Sequence, residues 1–373
     1  MKPPTVLIVT NLAEQNVNQL IPHLERRGLR WFRLNTEAFP LATAIQWNIA
    51  GKEVWASLET AVGEVDTRYI KAVWYRRPVP PVSAAGLTET ESHFADTECR
   101  ALLTGLISTL HSPWMNDPAA EDRATDKLYQ LTVASSLHLA VPRTLVTNDP
   151  THAREFFDEC DEQVLFKTVS GGAWLHNSNA DELVRAYGPR LVRQPAIPQD
   201  DTRPSLFLFS QLLTRDRLPL LDHIQIAPVM FQQFIKKRCD VRITIVGDAI
   251  FACRILSQER PSTRVDFRRF VNVPTETPHH QPFTLPPQIE RSLRALMRRL
   301  GLRFGCIDMI VTEDDRYVFL EVNAAGQWGW IEQLTGMQIS EAIADELARL
   351  ATNGLAPTAI SGDGCGNCHC IVE

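Results

Sequence analysis

The residues best suited to chemistry lie in the stretch FGCIDMIVTEDDRYVFLEVNAAGQWGW, residues 304–330. Two apolar, β-rich runs, GCIDMIVT and YVFLEVN, flank the polar turn EDDR and read as a β-hairpin. With the turn centred on Asp314-Asp315, Asp308 lies directly across from Glu321. Side chains alternate along a strand, so Asn323 joins the same face. Two buried carboxylates facing each other repel, and each is costly to desolvate unless a cation stands between them. A hard, oxygen-seeking ion such as Mg²⁺, held by one or two carboxylates and by substrate phosphates, meets that need. The plain alternative is a hairpin with both acids at its wet end.

Cations and a Gly-rich turn occur upstream. Arg123 and Lys127 lie four apart, on one face of a helix running on from NDPAAEDRATDKLYQLTVASSLHLAV. Either Asn116 or Asp117 caps it, and Pro118 stands just inside. Lys167 sits in the apolar strand VLFKTV, where a lysine is costly unless an anion meets it. Ser170-Gly171-Gly172 follows, a turn that can aim backbone N–H groups at phosphate. Solvated lysines are the ordinary alternative for both positions, more so for Lys127. In APVMFQQFIKKRCDV, Met230–Ile235 is a candidate hinge strand whose backbone pairs with a planar base, and Asp240 could accept from sugar hydroxyls. Arg264, Arg268 and Arg269 in SQERPSTRVDFRRF would suit a developing negative charge, or form a basic surface loop. Arg76 and Arg77 end the strand YIKAVWYRRP and could hold an acidic peptide or a phosphate; a solvated strand edge stands against that.

The remaining elements must position these groups. PTVLIVT is a buried strand, Asn16–Arg27 has helical spacing with Gly28 as its C-cap, and LRWFRLN is a second strand. This β-α-β order predicts a parallel sheet. No G-x-G-x-x-G follows the first strand, which argues against a dinucleotide site there. AIQWNI and EVWASL suggest a hairpin, and residues 88–111 a long helix. Residues 188–222 are rich in Pro, Asp and Arg and read as an insertion or a substrate-facing flap. Residues 287–300 form an amphipathic helix with a basic face.

The 373 residues are 44% hydrophobic and 22% charged, enough for a large core split into two or three domains. A net charge of −6 argues against a nucleic-acid partner. No run approaches a transmembrane span, and MKPPTVLIVTN starts a strand rather than a signal peptide, so the expected location is the cytoplasm, without a membrane partner. Five scattered cysteines (Cys99, Cys160, Cys239, Cys253, Cys306) read as reduced small hydrophobes. The tail ISGDGCGNCHCIVE reads as disordered, its Cys365, Cys368, His369 and Cys370 inert or redox-sensitive by default; haem attachment and zinc are the weaker alternatives.

The order of these signals is more specific than any one of them. RLNTEAFP, VWYRRP, NDP…R…DK, APVMFQQFI, DVRITIVGDAIFACRI, SQ…TRVDFRRF and LEVNAAGQWGWIEQLTG together resemble the ATP-grasp superfamily, and within it the ribosomal peptide maturases, the graspetide (microviridin-type) synthetases. The resemblance covers roughly residues 5–350. It implies a mixed α/β (α+β) ATP-grasp fold: a parallel-sheet N-terminal domain (1–112), two α+β subdomains clasping ATP (113–235 and 236–352), and a tail (353–373). It implies that Lys127, Lys167 and the Ser170, Gly171, Gly172 turn hold ATP phosphates. Gln232, Gln233, Phe234 and Ile235 would receive adenine, and Asp240 the ribose. Asp308, Glu321 and Asn323 would hold Mg²⁺, as two ions, and Arg268, Arg242 and Arg254 would serve catalysis. Gln233 departs from the Glu usual in the pattern. The implied activity joins Asp or Glu side chains of a ribosomal precursor peptide (leader plus core) to Ser, Thr or Lys of the same peptide. Arg76 and Arg77 would recognise that peptide, and relatives suggest a homodimer. A ligase adding a free amino acid to a peptide or small molecule is the second expectation; a non-catalytic peptide- or metal-binding protein on the same scaffold is the third.

Overall fold

The computed structural model describes residues 5–353, apart from 62, 170–174, 177–190, 194–204, 209, 273–274 and 276. The Ser170-Gly171-Gly172 turn, the tail cysteines and much of 188–222 therefore lie outside the described residues.

The chain opens with a β-α-β unit. β1 (Thr5–Thr10) is buried at all six positions, as a central parallel strand must be. α1 (Gln15–Arg26) follows, then β2 (Arg30–Asn35). The strands β3 (Thr43–Ala50), β4 (Glu53–Thr60) and β5 (Gly63–Asp66) form an antiparallel sheet of their own. β6 (Ile70–Tyr75) returns beside β1, giving a parallel sheet in the order β2-β1-β6. α2 (Glu89–Ser108) starts with the Thr88/Glu91 capping box.

Next come α3 (Pro118–Thr125) and α4 (Lys127–Ser136), which replace the single expected helix. Asp126 separates them: it is extended (ψ 110), ends α3, and its carboxylate accepts from the N–H groups of Leu128 and Tyr129 to start α4. Arg123 and Lys127 thus sit on two helices, and Lys127 becomes the first residue of the second. Asp117, not Asn116, caps α3. Asn116 instead stitches strands: its Oδ1 accepts from the N–H of Arg303 and Phe304, and its Nδ2 donates to the carbonyls of Phe304 and Ala324.

β7 (Thr144–Thr147), α5 (Pro150–Glu159) and β8 (Val164–Lys167) follow. Short strands β9 (Leu175–His176), β10 (Leu191–Arg193) and β11 (Ser205–Leu208) make a small sheet. β12 (Gln211–Leu212) and β13 (Val229–Gln233) complete an antiparallel sheet in the order β12-β8-β13-β7. The last sheet runs β16-β15-β14-β17-β18: β14 (Cys239–Val246), β15 (Ala249–Ile255), β16 (His280–Phe283), β17 (Phe304–Val311) and β18 (Tyr317–Asn323). α6 (Pro287–Leu300) begins with Pro287 and ends on left-handed Gly301, burying Leu293, Leu296, Met297 and Leu300 at about 2 kcal/mol each. α7 (Gly329–Thr335) and α8 (Ile339–Asn353) close the fold.

One face of the last sheet packs Val241, Ile243, Ile307, Met309, Phe319 and Val322 against α4 and α6. On the opposite face, Phe304 and Cys306 meet the core of the first unit at Trp74, Trp328 and α8. Among the described residues no helix is long and apolar enough to cross a membrane.

Candidate active site

The site begins at an irregularity in the last hairpin. Near the turn, Val311 pairs with Tyr317 and Met309 with Phe319, but Asp308 pairs with Glu321, so Leu320 is bulged out of register. Phe319 and Val322 accordingly face the apolar core, while the consecutive residues Leu320 and Glu321 both line the pocket. Asn323 pairs with Cys306, and its Nδ2 donates to Asp308 Oδ2 at 3.2 Å. The expected convergence of Asp308, Glu321 and Asn323 is present.

Cations surround these acids. Arg242, opposite Asp308 on β14, donates through Nη1 to both Asp308 oxygens at 2.8 and 2.7 Å. Lys127 Nζ lies 3.5 Å from Glu321 Oε2, and Arg268 Nη1 3.9 Å from Glu321 Oε1. Lys167 lines the same pocket at the end of β8. Burial lowers its pKa to about 8, with Lys127 and Arg268 adding to the shift and Glu321 opposing it. Burial would raise the Glu321 carboxyl, but Lys127, Arg268 and Lys167 together hold it below its usual range. Burial raises the Asp308 carboxyl, with Arg242 opposing.

Two partners of expected site residues, Asp266 and Lys237, were not legible from the sequence. Asp266 is buried and accepts from Arg268 at 2.9 and 2.7 Å; burial disfavours its charge, but Arg268 outweighs this and lowers its pKa. Lys237 is buried against Asp240 at 2.7 Å, so the carboxylate expected to meet a ribose already holds a lysine. The sequence signal available was only a Lys three residues before an Asp, just past the hinge strand. Five cations (Lys127, Lys167, Lys237, Arg242, Arg268) thus face four carboxylates (Asp240, Asp266, Asp308, Glu321) around one pocket.

The rest of the lining is an apolar slot: Pro142, Leu165, Phe234, Ile235, Val265, Ile310 and Leu320, with Gln232 and Gln233. The Gln233 and Phe234 N–H groups already donate to the carbonyls of Arg143 and Gln163, at 2.9 and 2.8 Å. Gln232 Nε2 donates to Thr144 Oγ1 at 3.0 Å. These bonds anchor the hinge rather than await a base.

Two expected residues are not brought here. Arg254 pairs with Val241 on β15, so it takes the face opposite Arg242 and Asp308, and its guanidinium stacks 4.9 Å from the Phe283 ring. Arg76 is fully buried, 4.7 Å over the Trp328 ring and close to Trp74 and Phe304, with Glu14 Oε2 at 3.5 Å. It is neither a solvated edge nor reachable by a peptide. Arg77 remains partly exposed, with Nη1 3.7 Å from Glu14 Oε2.

The comparisons with known proteins follow this geometry. A family model described as the MvdD pre-ATP grasp domain matches residues 5–122, and the RimK-like ATP-grasp domain matches residues 213–347. A RiPP-associated ATP-grasp ligase of Chryseobacterium gregarium, solved with ADP and a leader and core peptide, superposes with a TM-score of 0.79 at 26% identity. The match covers 93% of this chain and 97% of that one. The chain has the ATP-grasp fold and is similar to ribosomal-peptide maturases.

Macrocyclase MdnC of Microcystis aeruginosa MRC, bound with precursor peptide MdnA, superposes on this chain with a TM-score of 0.75 at 29% identity, over 92% of this chain and 99% of that one. A curated relative, "Probable alpha-L-glutamate ligase 2" of Shewanella amazonensis, is 29% identical over 126 residues; the match spans 33% of this chain and only 39% of that ligase.

The donor set suits magnesium. Among the described residues no three Asp, Glu, His or Cys side chains form a metal cage. Two carboxylates and an amide instead fit an ion that completes its shell with phosphate and water. Asp308 Oδ1 keeps a lone pair beyond its Arg242 contact, while Oδ2 also accepts from Asn323.

Proposed function

We propose that this protein is an ATP-dependent, ADP-forming ligase that crosslinks a ribosomal precursor peptide. The observation that carries the reading is the pocket itself, where buried lysines and arginines face paired carboxylates beside an apolar slot. The slot suits a planar base, with the Ile235 amide next in line for pairing because Gln233 and Phe234 are already engaged. Lys127 and Lys167 would bind the phosphates, with Lys167 charged below about pH 8. Asp308, Glu321 and Asn323 would hold Mg²⁺, which neutralises charge building on the transferred phosphoryl group.

A carboxylate oxygen of an Asp or Glu of the peptide attacks the γ-phosphorus, the β–γ bridging bond breaks, and ADP leaves. Arg268, held by Asp266, stabilises the resulting acyl phosphate. A Ser or Thr hydroxyl or a Lys amine of the same peptide then attacks the carbonyl carbon and loses its proton, and phosphate departs. Arg268 stabilises the tetrahedral oxyanion between these events. The balance is one ATP hydrolysed and one water lost from the peptide per ester or amide.

Incubation with ATP, Mg²⁺ and a candidate precursor tests this by mass. Loss of one water per linkage supports crosslinking. A gain equal to an amino-acid residue points to the ligase that adds a free amino acid, the reading favoured by the glutamate-ligase match. ATP left intact with peptide present would leave only a binding protein.

A further inference from the structure

The first β-α junction occupies the place where parallel α/β units commonly bind phosphate. Here it carries Glu14, a buried carboxylate. Glu14 Oε1 accepts from the Asn16 N–H and Nδ2, and Oε2 accepts from Gln327 Nε2 at 3.1 Å. Asn16 Oδ1 accepts from the Gly329 N–H at 3.1 Å. The junction thus grips both ends of the Gln327–Gly329 segment. The loop is also pressed onto β17, since a side chain at Gly326 would strike Cys306. The Gln327 carbonyl accepts from Arg242 Nη2 at 3.2 Å, and Arg242 Nη1 holds both Asp308 oxygens. An unbroken series of hydrogen bonds therefore runs from the first unit, through Glu14, Gln327 and Arg242, to a candidate metal carboxylate.

We propose that Glu14 and Gln327 are positioning residues: together they fix the Gln327 carbonyl, and through Arg242 they fix the orientation in which Asp308 meets the metal. The inference rests on the metal role given to Asp308 above. The first β-α junction thus clamps the Gln327–Gly329 segment. Neither residue touches the pocket, so the effect is on metal affinity rather than on nucleotide contacts.

The test is Gln327→Met, which keeps the chain length and the backbone carbonyl but deletes the donor to Glu14. Free Mn²⁺ is followed by electron paramagnetic resonance during titration of the full chain with ADP present. Metal-free ADP affinity and thermal stability are measured alongside. Mn²⁺ affinity is expected to fall about tenfold, the lower end for groups that orient metal ligands, with metal-free ADP affinity unchanged. Gln327→Asn, which withdraws the amide by one methylene, takes its place should Gln327→Met fail to fold. Unchanged Mn²⁺ affinity overturns the inference, as does a parallel loss of Mn²⁺ affinity, ADP affinity and stability. A wild-type chain that binds no Mn²⁺ with ADP overturns the metal assignment and this inference together. A wild-type chain that binds it, with a variant that binds it equally well, overturns this inference alone.

Discussion

Arg76 and Lys167 are both cations in apolar surroundings, yet they are neutralised differently. Arg76 is enclosed by three aromatic rings and one carboxylate, and its guanidinium nitrogens have no hydrogen-bond partner among the described residues. Burial lowers its pKa to about 10, and Glu14 partly compensates. Lys167 instead faces an open pocket, where Glu321 is its main counter-charge and Lys127 and Arg268 crowd it with like charge. The first arrangement is complete within the protein. The second is open to the pocket. A buried charge alone does not mark a site; one crowded by like charges as well as counter-charges, beside space, is the better candidate.

Substitutions can break this contrast. Lys167→Met should lower kcat/KM for ATP by roughly 10²–10³, the scale of losing one preorganised electrostatic contact, while leaving the melting temperature unchanged or raised. Steady-state kinetics with a melting curve checks both halves; equal damage to folding would erase the distinction. Arg76→Met should do the reverse. Leaving Glu14 without its buried partner costs about 3 kcal/mol in denaturant unfolding, with activity of the folded protein within a few-fold of wild type.

A subtler probe is Glu121, a first-turn acid of α3 buried beside Asn116, with its pKa raised to about 7 by burial. Because its folded value lies above the ordinary 4.5, the folded state binds more protons between those values. Its cost is absent below about pH 4.5, grows as pH rises, and is complete above about pH 7. Glu121→Gln should therefore raise stability at pH 8 by up to about 3 kcal/mol and change little at pH 4. Urea unfolding at the two pH values decides it. The smallest effect concerns Lys167 in the wild type: kcat/KM for ATP should fall above about pH 8, by about tenfold per pH unit, as the ammonium loses its proton. Lys167→Arg should move that limb to higher pH.

Much of this was legible because period and register are local. The alternation of the last hairpin put Asp308, Glu321 and Asn323 together, and the helix and strand lysines fell where their contexts placed them. What failed depended on distant packing. Arg76 looked like an exposed strand end because the rings enclosing it, Trp328 and Phe304, arrive more than two hundred residues later. Arg254 was assigned by its place in a motif, and a parity count along β15 against Arg242 would have excluded it. Lys237 and Asp266 were missed because each reads as an ordinary polar loop residue until the pocket closes around it. The break at Asp126 was visible in principle, as a helix-capping residue directly before Lys127.

The hairpin register came out right for a reason the turn alone does not supply. From Met309 to the turn, the strands pair as if the loop were centred on Asp314; continued evenly, that pairing would set Asp308 against Leu320. The offset at Leu320 restores Glu321 to the acid face. Deletion of Leu320 would let the strands pair evenly and still set the glutamate against Asp308, whereas even pairing with Leu320 retained would turn the glutamate into the greasy interior.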